Sequence, residues 1–136
     1  MHQVHMTDDG NLSCVSWTSS NQLSLLSSFP EVIMLDGTYK VNKLRMPLYT
    51  LAVIDSEGHG QPVAQALSAY EDQEHIELFL KDVLDWNNLI SSSTFITDKD
   101  FAEINAVKSV LPAANLFLCH FHVMKAFTDE MKKLHH

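Results

Sequence analysis

Apolar and polar residues alternate in blocks along the chain, and these blocks predict short strands and a few longer helices. The clearest strand signal is Val32 to Leu35, four apolar residues that follow Pro30 and precede the carboxylate of Asp36. An uninterrupted apolar run is typical of a strand that is buried on both faces. A carboxylate inside such a strand costs free energy unless it is paired or binds a metal. Asp36 is therefore the first candidate for a functional residue.

The clearest helix signal lies between residues 72 and 87, where apolar residues recur at the i, i+3, i+4, i+7 and i+8 positions. Asp72 suits the N-cap of this helix because its carboxylate can accept from free backbone N–H groups. The spacing predicts a solvent-facing side that consists of Glu74, Glu77, Lys81, Asp82 and Asp85.

The other elements follow from turn chemistry and from shorter patterns. The sequence Asp8-Asp9-Gly10-Asn11 predicts the turn of a β-hairpin. Asp100 suits the start of a helix that Pro112 ends. The predicted elements are, in chain order, a hairpin over 1–18, a short helix over 19–27, strands over 32–41, 46–54 and 61–70, a helix over 72–87, a strand over 94–97, a helix over 101–110, a short buried strand over 116–118 and a final helix over 120–134.

This order predicts an antiparallel meander followed by βα units, which is the element order of ribonuclease H-like folds. The predicted fold class is α/β: a mixed five-stranded sheet with helices on its faces, preceded by an N-terminal β-hairpin. We expect one domain over 1–136, with the hairpin and short helix in 1–28 and the core in 29–134. The strand of Asp36 would be central, and the strand that ends at Asp98 would lie parallel beside it.

Asp36 and Asp98 would then face each other, although they lie far apart in sequence. Two facing carboxylates can hold two Mg²⁺ ions about 4 Å apart, which activate a water or a 3′-hydroxyl at a phosphodiester. Carboxylate oxygens suit this task because Mg²⁺ prefers hard oxygen ligands. A cap or turn at the end of a strand would also explain Asp98, because Asp is common there.

Two further candidates lie near the end of the chain. Cys119 and His122 form a C-x-x-H pair, which supplies two of the four ligands that a structural zinc site needs. A buried thiol and a histidine at a helix start would account for the same residues. Glu130 falls at the edge of the apolar arc of the final helix, where it would either serve as a third carboxylate or lie on a solvated flank.

Charge and cysteine content narrow the function classes. The formal net charge of −8 argues against strong nucleic-acid binding by this chain alone, because phosphates are neutralised by clustered Lys and Arg. Cys14 and Cys119 lack the spacing of a disulfide framework and fit free thiols in a reducing compartment better, with a buried disulfide between the two as the alternative. No apolar run approaches the roughly 20 residues of a membrane span, so a membrane is not an expected partner.

Three motifs in order, D-G-T-Y-K from Asp36, T-D-x-D around Asp98 and C-x-x-H from Cys119, form a specific set. The set resembles the catalytic core of Mutator-like element (MULE) transposases, especially the domesticated copies in SWIM-type zinc-finger proteins, over about residues 7 to 127. The resemblance implies a ribonuclease H-like fold with a DDE triad and two Mg²⁺ or Mn²⁺ ions. The family's first acid falls on Asp36, its second on Asp98, and its C-x-x-H on Cys119 and His122.

In that family the third acid is a glutamate that lies downstream, after a helical insertion, and Glu130 comes too early for it. The resemblance therefore implies ancestral DNA strand cleavage and transfer, with weak metal binding and no turnover expected of this chain alone. For the full-length parent it implies DNA as a partner, zinc as a further metal and a nuclear location. The alternative is a non-catalytic module that binds a protein partner or forms a homodimer, which the acidic charge favours.

Overall fold

The described part of the protein contains seven strands, three α-helices and one 3₁₀ helix. A computed structural model describes residues 1–38, 46–97 and 100–118, so the predicted final helix over 120–134 lies outside the described residues. The elements are β1 (His2–Met6), β2 (Leu12–Trp17), α1 (Ser20–Ser28), β3 (Val32–Thr38), β4 (Leu48–Ile54), β5 (Gly60–Ser68), α2 (Gln73–Trp86), a 3₁₀ helix (Asn88–Ser92), β6 (Thr94–Thr97), α3 (Phe101–Val110) and β7 (Asn115–Leu118).

The strands form one mixed sheet in the order β1-β2-β5-β4-β3-β6-β7. Strand β3 pairs antiparallel with β4 and parallel with β6, and β6 pairs parallel with β7. The meander and the parallel strands of the predicted α/β fold are confirmed. The strand that carries Asp36 is central, as predicted.

The N-terminal hairpin is an integral part of this sheet. Strand β2 pairs antiparallel with β5, with Cys14 opposite Ser68, so the sheet has seven strands instead of the predicted five plus a separate hairpin. This pairing joins segments about fifty positions apart and leaves no local signal in the sequence. The hairpin turn itself is confirmed, and its Gly10 has φ +87°, a conformation that favours glycine.

The helices begin and end at capping residues that the sequence supplies. Ser19 caps α1 and forms a capping box with Gln22. Asp72 and Asn87 cap the two ends of α2, and Asp100 caps α3. Helix α2 contacts α3, β2 and β5, while α3 contacts β6 and β7. None of the described helices is long and apolar enough to cross a bilayer.

The core lies between the sheet and these helices. Its largest fully buried side chains include Tyr49, Phe79, Phe95, Leu26, Ile33, Leu35, Leu51 and Ile76. Strand β7 was predicted to be buried, but Phe117 and Leu118 are 62% and 52% exposed. Among the strands of the described residues, β7 lies at the edge of the sheet and has a neighbour, β6, on one side only, which leaves these side chains open to solvent.

Candidate functional site

Asp36 lies where the central strand β3 leaves the core. Ile33 and Leu35 are fully buried, whereas Asp36 is exposed and lies opposite Thr50 of β4. The expectation of a carboxylate inside a strand buried on both faces is therefore wrong. The buried run of β3 ends at Leu35, and the strand reaches solvent at Asp36. Asp36 is a candidate because ligands can reach it, not because its burial needs compensation.

The register of β3 and β6 relates Asp36 to the second predicted acid. Leu35 is the partner of Thr97 in this parallel pair. The next residues in the two segments are Asp36 and Asp98. Asp98 lies outside the described residues, so the facing of the two carboxylates stays a prediction. The structure adds the register of β3 and β6, on which this prediction rests.

Glu103 is a buried carboxylate that the sequence patterns did not single out as a site residue. It is 3% exposed, and its Oε2 accepts a hydrogen bond of 3.0 Å from Thr97 Oγ1. A Cβ on Gly37 would lie 3.3 Å from Glu103 Oε1 and 3.1 Å from Tyr49 Cε1. The absence of a side chain at Gly37 thus allows α3 to approach both β3 and β6 closely.

Glu103 and Asp36 belong to opposite faces of the sheet. Side chains alternate along a strand, so the positions of Gly37 and Leu35 share one face and Asp36 lies on the other. Thr97 pairs with Leu35 and therefore shares the face of Gly37. Glu103 thus holds α3 against the ends of β3 and β6 and is not a third ligand beside Asp36. The sequence around Asp100 predicts the start of a helix and gives no signal of the contact between Glu103 and Thr97.

The remaining predicted site residues are Asp98, Cys119, His122 and Glu130, which all lie outside the described residues. Their roles as divalent-metal, zinc or third-acid residues stay predictions. Within residues 1–38, 46–97 and 100–118, no three His, Cys, Asp or Glu side chains are grouped so that they could hold a metal ion.

A second polar region joins the hairpin to α2. Asp82 was predicted on the solvent-facing side of the helix, but it is 7% exposed. The Nε2 of His5 lies 3.1 Å and 2.9 Å from its two carboxylate oxygens. The prediction is wrong because the His5 side chain of β1 lies against Asp82, and the amphipathic pattern of one helix does not reveal such a neighbour.

Ser13, His75 and Asp72 form a hydrogen-bonded chain in the same region. Ser13 Oγ lies 2.7 Å from His75 Nε2, and His75 Nδ1 lies 2.5 Å from Asp72 Oδ1. A neutral imidazole with its proton on Nδ1 satisfies both contacts. The arrangement has the connectivity of a nucleophilic triad. However, Ser13 sits in a regular strand and is 6% exposed, so an electrophile has little access. This set of hydrogen bonds connects the capped start of α2 to β2.

Comparisons with known proteins identify similar sequences over most of the chain. A family model described as the RNase H-like domain of zinc finger SWIM domain-containing proteins 1 and 3 matches residues 1–117. The FAR1-RELATED SEQUENCE 6 protein of Arabidopsis thaliana is 25% identical over 134 residues, which are 97% of this chain and 19% of that protein. FAR1-RELATED SEQUENCE 5 of the same plant is 23% identical over 133 residues, 96% of this chain and 16% of that protein. The chain thus spans about a fifth of the length of these relatives.

One solved structure is also similar. It is a chain of the simian T-cell lymphotropic virus intasome in complex with PP2A regulatory subunit B56 gamma. The two chains are 18% identical with a TM-score of 0.49, and the match covers 65% of this chain and 31% of that one.

Proposed function

The chain belongs to the family of RNase H-like domains of zinc finger SWIM domain-containing proteins 1 and 3, and we propose that its ancestral activity is two-metal cleavage and transfer of DNA strands. The resemblance to MULE transposase domains domesticated in SWIM-type proteins is confirmed. We propose this two-metal chemistry for the parent protein, in which this chain forms the body of a DDE domain.

One observation carries the proposal, namely the parallel pairing of Leu35 with Thr97. Neighbouring strands of a sheet lie about 4.8 Å apart. If β6 continues for one more residue in register, Asp98 lies next to Asp36 on the same face of the sheet. Asp36 is exposed, so a cation and a phosphodiester can reach its oxygens.

The donor chemistry at Asp36 fits Mg²⁺ or Mn²⁺, because both ions favour carboxylate oxygens. Asp36 and Asp98 would hold the ions, together with a glutamate from elsewhere in the parent. When bound, such ions lower the pKa of the attacking water and stabilise the leaving oxygen. The hydrogen bond between Thr97 and Glu103 keeps the end of β6 fixed against α3. With two of three acids, we expect this chain alone to bind metal weakly and not to turn over.

A nicking assay on the full-length parent tests the proposal. Supercoiled plasmid is incubated with Mn²⁺ and with wild-type protein, Asp36→Asn or Asp98→Asn. Glu57→Gln is the matched control, because it removes an equal charge from a side chain that is 76% exposed in the turn between β4 and β5. Each Asp variant should lose more than about 100-fold in rate, since even residues that only support metal ligands are worth roughly 10- to 100-fold. Equal rates for wild type and Asp36→Asn would refute the proposal.

The alternative function is a non-catalytic module that binds a protein partner or forms a homodimer. The observation in its favour is the uneven charge of the described fold, since most of the net negative charge belongs to the hairpin and α2. Sizing of the chain with and without EDTA tests for a dimer that does not need metal. We also propose a nuclear location for the parent, which imaging of a tagged protein can test.

A further inference from the structure

A groove lies between strand β1 and the first half of α2. It encloses about 590 Å³, and its lining includes Val4, Met6, Asp8, Tyr70, Glu74 and Leu78. Four of these side chains are apolar or aromatic, and the other two are carboxylates. The groove therefore combines an apolar lining with fixed negative charge.

The segments that build the groove carry almost all of the net charge of the chain. Residues 1–18 and 68–87 contain eight of the 17 acidic residues but only Lys81 among the nine Lys and Arg. Their formal charge is thus −7, out of −8 for the whole chain. A field of one sign attracts partners of the opposite sign and repels others. Nucleic acid is repelled here, and so is the same face of a second copy.

The apolar lining is open to solvent. Val4, Met6 and Tyr70 are 45%, 56% and 50% exposed. The Tyr70 ring rests against the His75 imidazole, with their centroids 4.9 Å apart. An aromatic face beside carboxylates suits a cationic side chain, because a guanidinium can pair with a carboxylate and stack on the ring at once.

The base of the groove is held in place by the polar contacts between the hairpin and α2. The contact of His5 with Asp82 fixes β1 against the middle of the helix. The contact of Ser13 with His75 fixes β2 against the start of the helix. A preformed groove loses little conformational entropy when a ligand binds.

We propose that this groove binds an extended basic segment of a partner protein, with an Arg or Lys side chain between Asp8 and Glu74 and apolar side chains against Val4 and Met6. A partner segment in which basic and apolar residues alternate would match this lining. The proposal deepens the interaction-module alternative and is independent of the chemistry at Asp36. Four strand spacings separate β1 from β3, about 19 Å, so both sites can be occupied together.

Fluorescence anisotropy with a defined probe tests the proposal. The probe is a fluorescein-labelled nonapeptide of alternating arginine and valine, added to the 136-residue chain. A glutamate–valine peptide and a 20-base-pair duplex serve as reference probes. The arginine peptide should bind with a strong dependence on salt, and the two reference probes should not bind. Tighter binding of the duplex than of the arginine peptide would overturn the proposal.

Two double variants with the same change in charge locate the binding. Asp8→Asn/Glu74→Gln removes two charges inside the groove, and Glu31→Gln/Glu57→Gln removes two exposed charges outside it. We expect about tenfold weaker binding for the groove variant and less than about twofold for the control, because close charge pairs are worth much more than screened ones. Equal losses in the two variants would show attraction by net charge alone and would overturn the proposal.

The variant Tyr70→Ala measures the contribution of the aromatic ring to binding separately from that of the carboxylates. Loss of the stacking surface should weaken binding about fivefold. Thermal unfolding by circular dichroism shows whether each variant is folded before its affinity is compared.

Changes in the amide chemical shifts of the wild-type chain on binding the arginine peptide supply a readout that needs no variant. They should be largest at Val4, Met6 and Tyr70. Shifts confined to residues outside the groove would overturn the proposal. A failed nicking assay leaves every one of these outcomes unchanged.

Discussion

Leu35 and Thr97 are direct partners in the parallel strands β3 and β6, and each is followed in the sequence by an aspartate. Both side chains are fully buried, so packing fixes this register. A shift of one residue would turn a buried side chain to the opposite face. The fold thus fixes Thr97 beside Leu35, one residue before Asp36 becomes exposed.

Glu103 should contribute to stability through its buried contact with Thr97. We expect Glu103→Ala to lower the free energy of unfolding by about 2–3 kcal/mol, because it leaves a cavity and a buried hydroxyl that has lost this acceptor. Glu103→Gln keeps the volume and an acceptor oxygen and should cost about 1 kcal/mol. Urea unfolding measures both, with the exposed Glu31→Gln as the control. A Glu103→Ala protein as stable as the control would contradict this interpretation.

The contact between His5 and Asp82 should hold the hairpin on α2. Removal of the imidazole in His5→Ala leaves a buried carboxylate without this partner, which should cost about 1–3 kcal/mol. A double-mutant cycle with Asp82→Ala isolates the pair, and we expect a coupling of about 1–2 kcal/mol. Simple additivity of the two single changes would show that the contact contributes nothing to stability.

Cys14 should be chemically inert in the folded chain. It is fully buried, and burial raises the pKa of its thiol to about 11, so little thiolate forms near neutral pH. In a Cys119→Ser background, Cys14 should react with a disulfide reagent at about pH 8 only after unfolding in urea. Reaction within seconds in the native protein would contradict the burial of this thiol.

Asp55 should make the turn between β4 and β5 sensitive to acid. Hydrogen bonds, chiefly from the His59 backbone N–H and also from Gln61 and Glu57, lower the pKa of its carboxyl. A group whose pKa is lower in the folded state stabilises the fold above its unfolded pKa of about 3.9, and this contribution is lost as pH falls through the folded pKa.

The test of this pH dependence compares wild type with Asp55→Asn in urea. The wild-type protein should be the more stable of the two near neutral pH, and the difference should shrink as the pH falls below about 4. A difference that stays constant down to strongly acidic pH would mean that the carboxylate does not contribute through its charge.

The sequence predicted the elements that are bounded by capping residues or that have a regular spacing of apolar residues. The bounds of α2 follow from Asp72, Asn87 and the helical spacing between them. Thr94–Thr97 and Phe101–Val110 have the predicted bounds, because Asp100 marks the boundary between strand and helix. From these elements the meander and the parallel β3–β6 pair could be predicted.

Features that depend on distant neighbours could not be predicted in this way. The pairing of β2 with β5 and the burial of Asp82 under His5 both join segments more than forty residues apart. The exposure of Asp36 follows from where β3 leaves the core, and the role of Glu103 depends on the missing side chain at Gly37. None of these relationships changes the periodicity of the element in which it occurs.

The most direct test of the proposed metal site is a Mn²⁺ titration of the 136-residue chain followed by NMR. Paramagnetic broadening should be strongest at the amides of Leu35, Gly37 and Thr97, and it should disappear in Asp36→Asn but persist in Glu57→Gln. Broadening that is identical in wild type and Asp36→Asn, or that is confined to residues away from the ends of β3 and β6, would contradict the account.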